Sequence, residues 1–279
     1  MDRAKLPKKI GVIVVTHNSE ATIDPTLLSL SEQTFKPYET FLIDSGSTDV
    51  QYIKKYNRKM GLEICLMPNI GFSAANNLGF ASLDKDLEYI LFLNPDVVMP
   101  ANLLNDLIEW MDQHPDVGAA TPKLIRYDFK NGAPTNKLDS AGIASTWYGK
   151  WYDRGQGQDA DSFNQEENVE AICGAFFLTR RKALMTVQLN KYAIFDESFF
   201  CYKEDLDLSV RMRKEGWNLV YLPQFVAYHG RGWKKRGLVP HPIKMMSAQN
   251  ELKLHLKSKN PIRITYSLLK MIGVKLFDV

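Results

Sequence analysis

A carboxylate interrupts an apolar run in the segment YILFLNPDVVMP, residues 89–100. Pro95 restricts the backbone, so the side chain of Asp96 is held rather than free to swing. A fixed carboxylate at the end of a strand suits a divalent cation that also binds phosphate oxygens. The alternative is an aspartate that shapes a turn or caps a helix predicted to begin at Ala101. The residues alone leave both interpretations open.

A second group of carboxylates lies in YKEDLDLSVRMRKEGW, residues 202–217. Glu204, Asp205 and Asp207 fall at the predicted start of a helix, where acidic residues interact favourably with the helix dipole. Three carboxylates in four residues exceed what a cap needs. The aromatic segment FDESFFCY precedes them and could desolvate one, which would raise its basicity and let it accept a proton from a hydroxyl.

A histidine follows an apolar run in AYHGRGW. A lone histidine is more often structural than a ligand. However, a neutral imidazole at His229, placed beside Asp96, would complete a metal site of mixed nitrogen and oxygen ligands.

Strands that alternate with helices predict the scaffold for these groups. KIGVIVVTHN, ETFLIDSGSTD, LEICLM and EYILFLN have the composition of buried strands. Four helices are predicted. The first covers residues 20–33, and the second begins at one of the residues Ser47–Asp49 and ends near Lys59. The third begins in NIGFSAANNLG, and the fourth begins at Ala101. This alternation indicates a parallel sheet covered by helices.

Each predicted strand of the first half ends in a polar cluster. In open α/β sheets, ligands bind beyond the carboxyl ends of the strands, so the four clusters predict one polar site. No GxxxxGK[ST] is present, and no GxGxxG follows the first strand, which disfavours P-loop and Rossmann dinucleotide sites. The residues of these clusters include Thr16, His17, Asn18, Asp44, Ser45, Asn69, Gly71, Asn94 and Asp96.

The second half is less regular. Residues 126–170 are predicted to be loops, with a hairpin around TWYGKWYD. ENVEAICGAFFLTRRKAL indicates a strand followed by a helix. The region from Pro240 is predicted to be helical, and SLLKMIGVKLF has apolar residues on one face with lysines between them, an amphipathic pattern.

Charge is concentrated near the C-terminus. Residues 230–279 contain eleven Lys and Arg but only Glu251 and Asp278 as acids. Such a basic tail suggests an anionic partner such as a membrane surface, or else a solvated basic helix. Three dispersed cysteines, no signal-peptide pattern and no apolar run that could span a bilayer predict a cytoplasmic protein. Through its basic tail we expect peripheral contact with the inner face of the cell membrane, and we expect no nucleic-acid partner.

In order and spacing, the motifs resemble those of inverting family-2 glycosyltransferases with the GT-A fold, in particular their rhamnosyltransferase-like branch. The resemblance implies an α/β fold with a Rossmann-like, mostly parallel central sheet flanked by helices and a C-terminal helical extension. It predicts a catalytic domain at 1–232, with a nucleotide-binding half (1–125) and an acceptor-binding half (126–232), and a basic extension at 233–279. The matching segments are VVTHNSE, LIDSGSTD, NIGFSAANNLG, FLNPDV, CGAFFLTRR, FFCYKEDLDLSVRMRKEGW and YHG.

The same resemblance assigns roles to residues. Asp205 would be the general base, with Glu204 beside it in the motif. Asp96 and His229 would bind Mg²⁺ or Mn²⁺, with Asn94 where the family's DxD motif has its first aspartate. Acceptor-binding residues would be Cys173, Gly174 and Arg180, although a surface role for Arg180 is equally open. The nucleotide-sugar donor would contact Thr16, Asn18, Asp44, Ser45, Asn69, Gly71, Asn76, Asn77 and Asn94.

The resemblance implies metal-dependent, inverting transfer of a sugar, with dTDP-rhamnose favoured and UDP-hexoses still open. The acceptor would be a hydroxyl of a growing cell-surface glycan or lipid-linked saccharide. Two alternatives remain at this stage. One is a nucleotidyltransferase acting on sugar phosphates, although the THNSE loop lacks the basic residues that such enzymes use to grip a triphosphate. The other is a non-catalytic protein that binds a nucleotide sugar.

Overall fold

The computed structural model of the protein describes residues 8–56, 61–231 and 239–278. These residues form a ten-stranded mixed sheet and a separate two-stranded ribbon, β8 with β9. Along the chain the strands are β1 (Ile10–Thr16), β2 (Glu39–Ser45), β3 (Leu62–Met67), β4 (Tyr89–Leu93), β5 (Val97–Val98), β6 (Val117–Asp128), β7 (Ala133–Ser140), β8 (Ile143–Ser145), β9 (Trp151–Asp153), β10 (Glu167–Asn168), β11 (Phe176–Arg180) and β12 (Asn218–His229).

Strand direction brings most carboxyl ends to one edge of the sheet. The order is β10-β12-β6-β11-β4-β1-β2-β3, with β5 paired to β12 and β7 paired to β6. β1 runs parallel to β2 and β4, β2 to β3, and β6 to β12. β11 is antiparallel to its neighbours β4 and β6. The mostly parallel sheet predicted from sequence is confirmed, and the reversed β11 begins at the edge where the parallel strands end.

Helices cover both faces of this sheet. Alternate residues of β1 enter different apolar clusters: Val12 and Val14 join one, Ile13 and Val15 the other. A strand buried on both faces needs such a continuous apolar sequence. The helices are α1 (Ile23–Ser31), α2 (Gln51–Lys54), α3 (Phe72–Ser82), α4 (Leu103–Gln113), α5 (Arg181–Thr186), α6 (Glu204–Lys214), α7 (His241–Ser258) and α8 (Pro261–Phe277).

The region 126–170 departs from its predicted loops. β6 continues to Asp128, turns, and returns as β7, which pairs with it in antiparallel fashion. The sequence of β7, APTNKLDS, hides this strand because its first five residues are exposed and only its last three are buried. The predicted hairpin at TWYGKWYD is present as β8 and β9.

The C-terminal extension is helical, as predicted, and consists of α7 and α8 packed on each other. The predicted domain boundary between 232 and 233 lies outside the described residues. Buried side chains of α7 contact the main body, so this helix is part of the fold that surrounds the candidate site.

Candidate active site

A cavity of about 910 Å³ opens at the edge where β1, β2, β4 and β12 end. It lies where ligands bind in open α/β sheets. Because β11 is reversed, the residues that precede it reach the same cavity. The predicted site residues that line the cavity are Thr16, Asn18, Ser45, Asn69, Gly71, Asn94, Asp96, Cys173, Gly174, Glu204, Asp205 and His229.

Arg180 lies elsewhere, and strand direction explains why. It ends the antiparallel β11 and pairs with Tyr89, the first residue of β4. Its guanidinium donates to the carbonyls of Val117, Met111 and His114. The structure therefore does not bring Arg180 to the cavity: its side chain lies at the opposite edge of the sheet, and its acceptor-binding role stays a prediction.

Asn76, Asn77 and Asp44 lie behind the cavity wall and do not line it. The Asn77 side chain accepts from the amides of Ile194 and Phe195 at 2.9 Å and holds that segment against α3. Asn76 donates to its own helix. The predicted contacts of these two asparagines with the donor do not fit their burial. Asp44 accepts from the Ser47 amide at 3.0 Å and shapes the turn after β2, and its predicted nucleoside contact stays a prediction.

Asp205 is fixed at the start of α6 by two backbone amides. Its Oδ2 accepts from Gly174 N at 2.9 Å, and its Oδ1 accepts from Leu206 N at 2.8 Å. Burial raises the pKa of Asp205, and the Gly174 amide opposes part of that rise. The result is a carboxylate of increased basicity, held in one orientation at the cavity wall.

Glu204 is more fully buried, and its Oε2 has no hydrogen-bond partner among the described residues. Burial, and then the charge of Asp205, raises the pKa of Glu204. Two adjacent buried carboxyls do not readily ionise together. Since only Asp205 accepts backbone amides on both oxygens, we assign the charge to Asp205 and the proton to Glu204.

The segment before α6 has an unusual backbone. Phe200, Tyr202 and Lys203 all have positive φ, between 35° and 73°, a conformation that costs L-residues about 1–2 kcal/mol each. Asn250 of α7 stabilises it. Its side-chain amide donates to the carbonyls of Phe199, Cys201 and Tyr202 at 2.9–3.0 Å, and the residue is 4% exposed. Sequence analysis missed this residue, because nothing local to α7 indicates what its amide binds.

Asn250→Ala should therefore lower kcat about tenfold while changing the donor KM much less, because misplacing a positioned group costs rate before affinity. Asn250→Asp, which keeps the size but loses the donor, should behave alike. The neighbouring exposed Gln249→Ala on the same helix is the control, and steady-state kinetics give the readout. A merely structural role would lower the melting temperature and leave kcat per folded molecule unchanged.

His229 lies between two carboxylates. Its Nδ1 is 2.7 Å from Asp139 Oδ2, and its Nε2 is 3.3 Å from Asp96 Oδ1. Burial alone would lower the pKa of His229, but the two carboxylates raise it to about 10. A carboxylate on the far nitrogen of a histidine is a common way to orient a metal-ligating imidazole.

Asp96 and His229 fit a divalent cation in part. Together they supply one carboxylate oxygen and one imidazole nitrogen facing the cavity. No cluster of three or more His, Cys, Asp or Glu that could hold a metal occurs among the described residues. A Mg²⁺ or Mn²⁺ ion here would need further oxygens from phosphate and water, as Mg²⁺ at phosphate sites usually does.

A charged network behind His229 was not predicted. Asp139, at the end of β7, is fully buried and forms an ion pair with Arg231 at 2.7 Å. Arg231 also pairs with Asp153 of β9 at 2.8 Å. The sequence analysis treated this region as loops, and KLDSAG gives no local sign that its aspartate meets a histidine ninety residues later.

Three buried side-chain oxygens at the cavity have no hydrogen-bond partner among the residues described. They belong to Asn94, Asp153 and Glu204. Buried polar atoms without partners are uncommon in folded proteins and are costly. Hydroxyl groups of a bound polyol would satisfy them.

Solved glycosyltransferase structures share this fold. GalNAc-T7 with UDP, GalNAc and Mn²⁺ superposes with a TM-score of 0.63 at 17% identity, covering 88% of this chain and 47% of that one. Mannosyltransferase PcManGT from Pyrobaculum calidifontis, in complex with GDP-Man and Mn²⁺, gives 0.59 at 18% identity, covering 99% and 72%. These likenesses confirm the GT-A class of fold.

The model of glycosyl transferase family 2 matches residues 11–188, and the chain belongs to that family. It is a glycosyltransferase, which excludes the two alternatives left open by the sequence. The N-acetylglucosaminyl-diphospho-decaprenol L-rhamnosyltransferase of Mycobacterium tuberculosis is 28% identical, over 79% of this chain and 75% of its own. Rhamnosyltransferase WbbL of Escherichia coli K12 is 27% identical, over 79% and 83%. The predicted resemblance to the rhamnosyltransferase-like branch is confirmed.

Proposed function

We propose that the protein transfers a sugar from a nucleotide-sugar donor, with inversion at the anomeric carbon, onto a hydroxyl of a saccharide linked to a lipid carrier. The observation that carries this proposal is that Asp96 and Asp205 face one cavity. Had they lain on opposite sides of the protein, no single substrate pair could have reached both.

Each side of the cavity has its own task in this proposal. Asp205 accepts the proton of the acceptor hydroxyl, which attacks the anomeric carbon from the face opposite the diphosphate. Its orientation by Gly174 and its raised pKa suit this general-base role. Glu204, protonated, offers a hydrogen bond to the acceptor or to the sugar. No enzyme nucleophile is required.

Asp96 and His229 would hold a Mg²⁺ or Mn²⁺ ion against the diphosphate, with the cation displacing the proton from His229 Nε2, and that ion would neutralise charge on the departing nucleotide. Asp139 keeps the His229 ring oriented, and Arg231, which is itself paired with Asp153, fixes Asp139. Thr16, Asn18, Ser45, Asn69 and Gly71 line the part of the cavity nearest β1 and β2, which we assign to the nucleoside.

The donor is proposed to be dTDP-rhamnose, because two relatives that align over most of this chain are named rhamnosyltransferases. We expect dTDP-rhamnose with Mg²⁺ to raise the melting temperature more than UDP-GlcNAc or UDP-galactose does, in a thermal-shift panel run with and without metal. UDP-GlcNAc is informative because another matched relative, TarS of Staphylococcus aureus, is named an N-acetylglucosaminyltransferase. UDP-galactose is informative because a relative from Borreliella burgdorferi is named a cholesterol galactosyltransferase. Stabilisation by a UDP-hexose alone would contradict the rhamnosyl assignment.

The acceptor is proposed to be lipid-linked, as the name of the mycobacterial relative states for that protein. No helix among the described residues combines the length and the apolar character that crossing a membrane requires. We propose that the protein reaches such an acceptor by peripheral contact of its C-terminal region with the inner face of the cell membrane.

A further inference from the structure

One face of α8 exposes large apolar side chains to solvent. Leu269 and Leu276 are each 64% exposed and Phe277 is 72% exposed. At 100° per residue, Ile262, Leu268, Leu269, Ile272 and Leu276 occupy an arc of about 120°. The opposite side, which includes Ser267 and Val274, is buried against the protein. We call these five residues and Phe277 the α8 apolar face.

We propose that the α8 apolar face, with Trp147 beside it, docks on a bilayer containing anionic lipid. Trp147 is 77% exposed. It precedes Tyr148, whose ring contacts Tyr266 of α8 at 5.1 Å between centroids. An exposed tryptophan next to an amphipathic helix is characteristic of segments that lie at the membrane interface.

Charge favours an anionic surface as the occupant. Both acids of the helical pair are already compensated, Glu251 by Lys270 and Asp278 by Lys244. Lys259 and Lys275 remain exposed, one at each end of α8. Basic residues near an apolar face add attraction to anionic headgroups.

A second copy of this chain fits the face less well. The exposed side of a helix about 25 Å long offers only a few hundred Å², whereas stable protein interfaces bury roughly 800 Å² per partner. Two copies would also bring Lys259 and Lys275 of each near those of the other. A small apolar face on one side of a helix is sufficient for binding at a bilayer surface, and the same positive charges are attracted to anionic headgroups.

The position of α8 places the membrane next to the catalytic cavity. Ser247 of α7 lines that cavity, and so does Trp151, whose indole donates to His255 of α7 at 3.3 Å. The other nitrogen of His255 contacts Ser267 on the buried side of α8. This part of the inference rests on the proposed function: a lipid-linked acceptor could enter the cavity while its carrier stays in the bilayer.

The test measures sedimentation of the full chain with vesicles of neutral phosphatidylcholine, with or without phosphatidylglycerol. Wild type should sediment with the anionic vesicles, and its Trp147 emission should shift to the blue, a shift lost in Trp147→Phe. Leu269→Gln combined with Ile272→Gln should weaken partitioning about tenfold or more. Lys259→Gln and Lys275→Gln should each weaken it about fivefold, and only on anionic vesicles.

Leu28→Gln, at a leucine that is 54% exposed on α1, is the matched control and should bind as wild type does. Transfer to a short soluble acceptor should be unchanged in the α8 variants, so a failure of the docking proposal is distinguishable from a failure of the proposed reaction. Vesicle binding that survives the double α8 change would overturn the proposal. So would a dimer, seen by light scattering, that the double change dissociates while vesicles bind nothing.

Discussion

Asp205→Asn is expected to leave donor binding intact and to lower kcat about 100- to 10,000-fold, the usual contribution of a positioned general base. The change is nearly isosteric, and the amide oxygen can still accept from Gly174, while the hydrogen bond from Leu206 N is lost. Loss of rate would therefore report the loss of a proton acceptor at one atom rather than a collapsed loop. Calorimetric titration with the donor and single-turnover transfer are the two measurements.

Two companion variants sharpen this expectation. Glu204→Gln resembles the protonated form that we assign to Glu204, so it should retain much of the activity that Asp205→Asn loses. Glu215→Gln, at the exposed end of the same helix, should behave as wild type. If Glu204→Gln is the dead variant and Asp205→Asn the active one, the roles within the pair are reversed.

The rate should also depend on pH in a defined direction. Burial raises the pKa of Asp205, so the carboxylate becomes protonated at a higher pH than an exposed aspartate does. A protonated base cannot accept the acceptor proton, so kcat/KM should fall as the pH is lowered through that raised pKa. A profile that is flat across the acid range would argue against Asp205 as the base.

Asp96→Ala is expected to weaken both donor binding and transfer, because it removes the cavity-lining carboxylate that lies 3.3 Å from His229 Nε2. Mn²⁺ binding, followed by electron paramagnetic resonance in the presence of the nucleoside diphosphate, should weaken at least about 10- to 100-fold, the range that follows even from loss of an outer-shell partner. This readout does not depend on turnover.

The control is Asp86→Ala, at a surface aspartate with a side chain 74% exposed, which should leave Mn²⁺ binding unchanged. Asp139→Asn should weaken Mn²⁺ binding to a smaller extent than Asp96→Ala does, since it keeps the shape of the side chain behind His229 but removes its charge. Unchanged Mn²⁺ affinity in Asp96→Ala would show that the cation, if one is used, lies elsewhere.

The parallel half of the fold was predictable because its signals are local. Short β-branched runs, polar turns and the helical spacing of apolar residues in α4 each identify one strand, turn or helix. Because the carboxyl ends of parallel strands share one edge of the sheet, Asp96 can then be placed near Thr16 and Ser45. That rule fails for Arg180, because nothing in CGAFFLTRR reveals that β11 runs backwards. The same reversal is what carries Gly174 to Asp205.

Long-range partners were not predictable for a related reason. Asp139, Arg231 and Asn250 act through contacts with residues far away in sequence, and their own surroundings look like ordinary loop or helix. Asn77 shows the converse. The resemblance to the family implied ligand contact for the pair Asn76 and Asn77, yet the side chain of Asn77 satisfies buried backbone groups.

The dependence of the loop before α6 on Asn250 affects the timing of synthesis. When α6 has been synthesised, the nascent chain contains both Glu204 and Asp205. Asn250, whose side chain stabilises the loop that leads into α6, has not yet been translated. Until α7 leaves the ribosome and folds back, the unfavourable backbone between Phe199 and Tyr202 lacks the three hydrogen bonds that Asn250 donates. A ribosome-bound intermediate that lacks α7 would therefore transfer sugar more slowly, and the full rate would be reached only after α7 has been synthesised and has folded back.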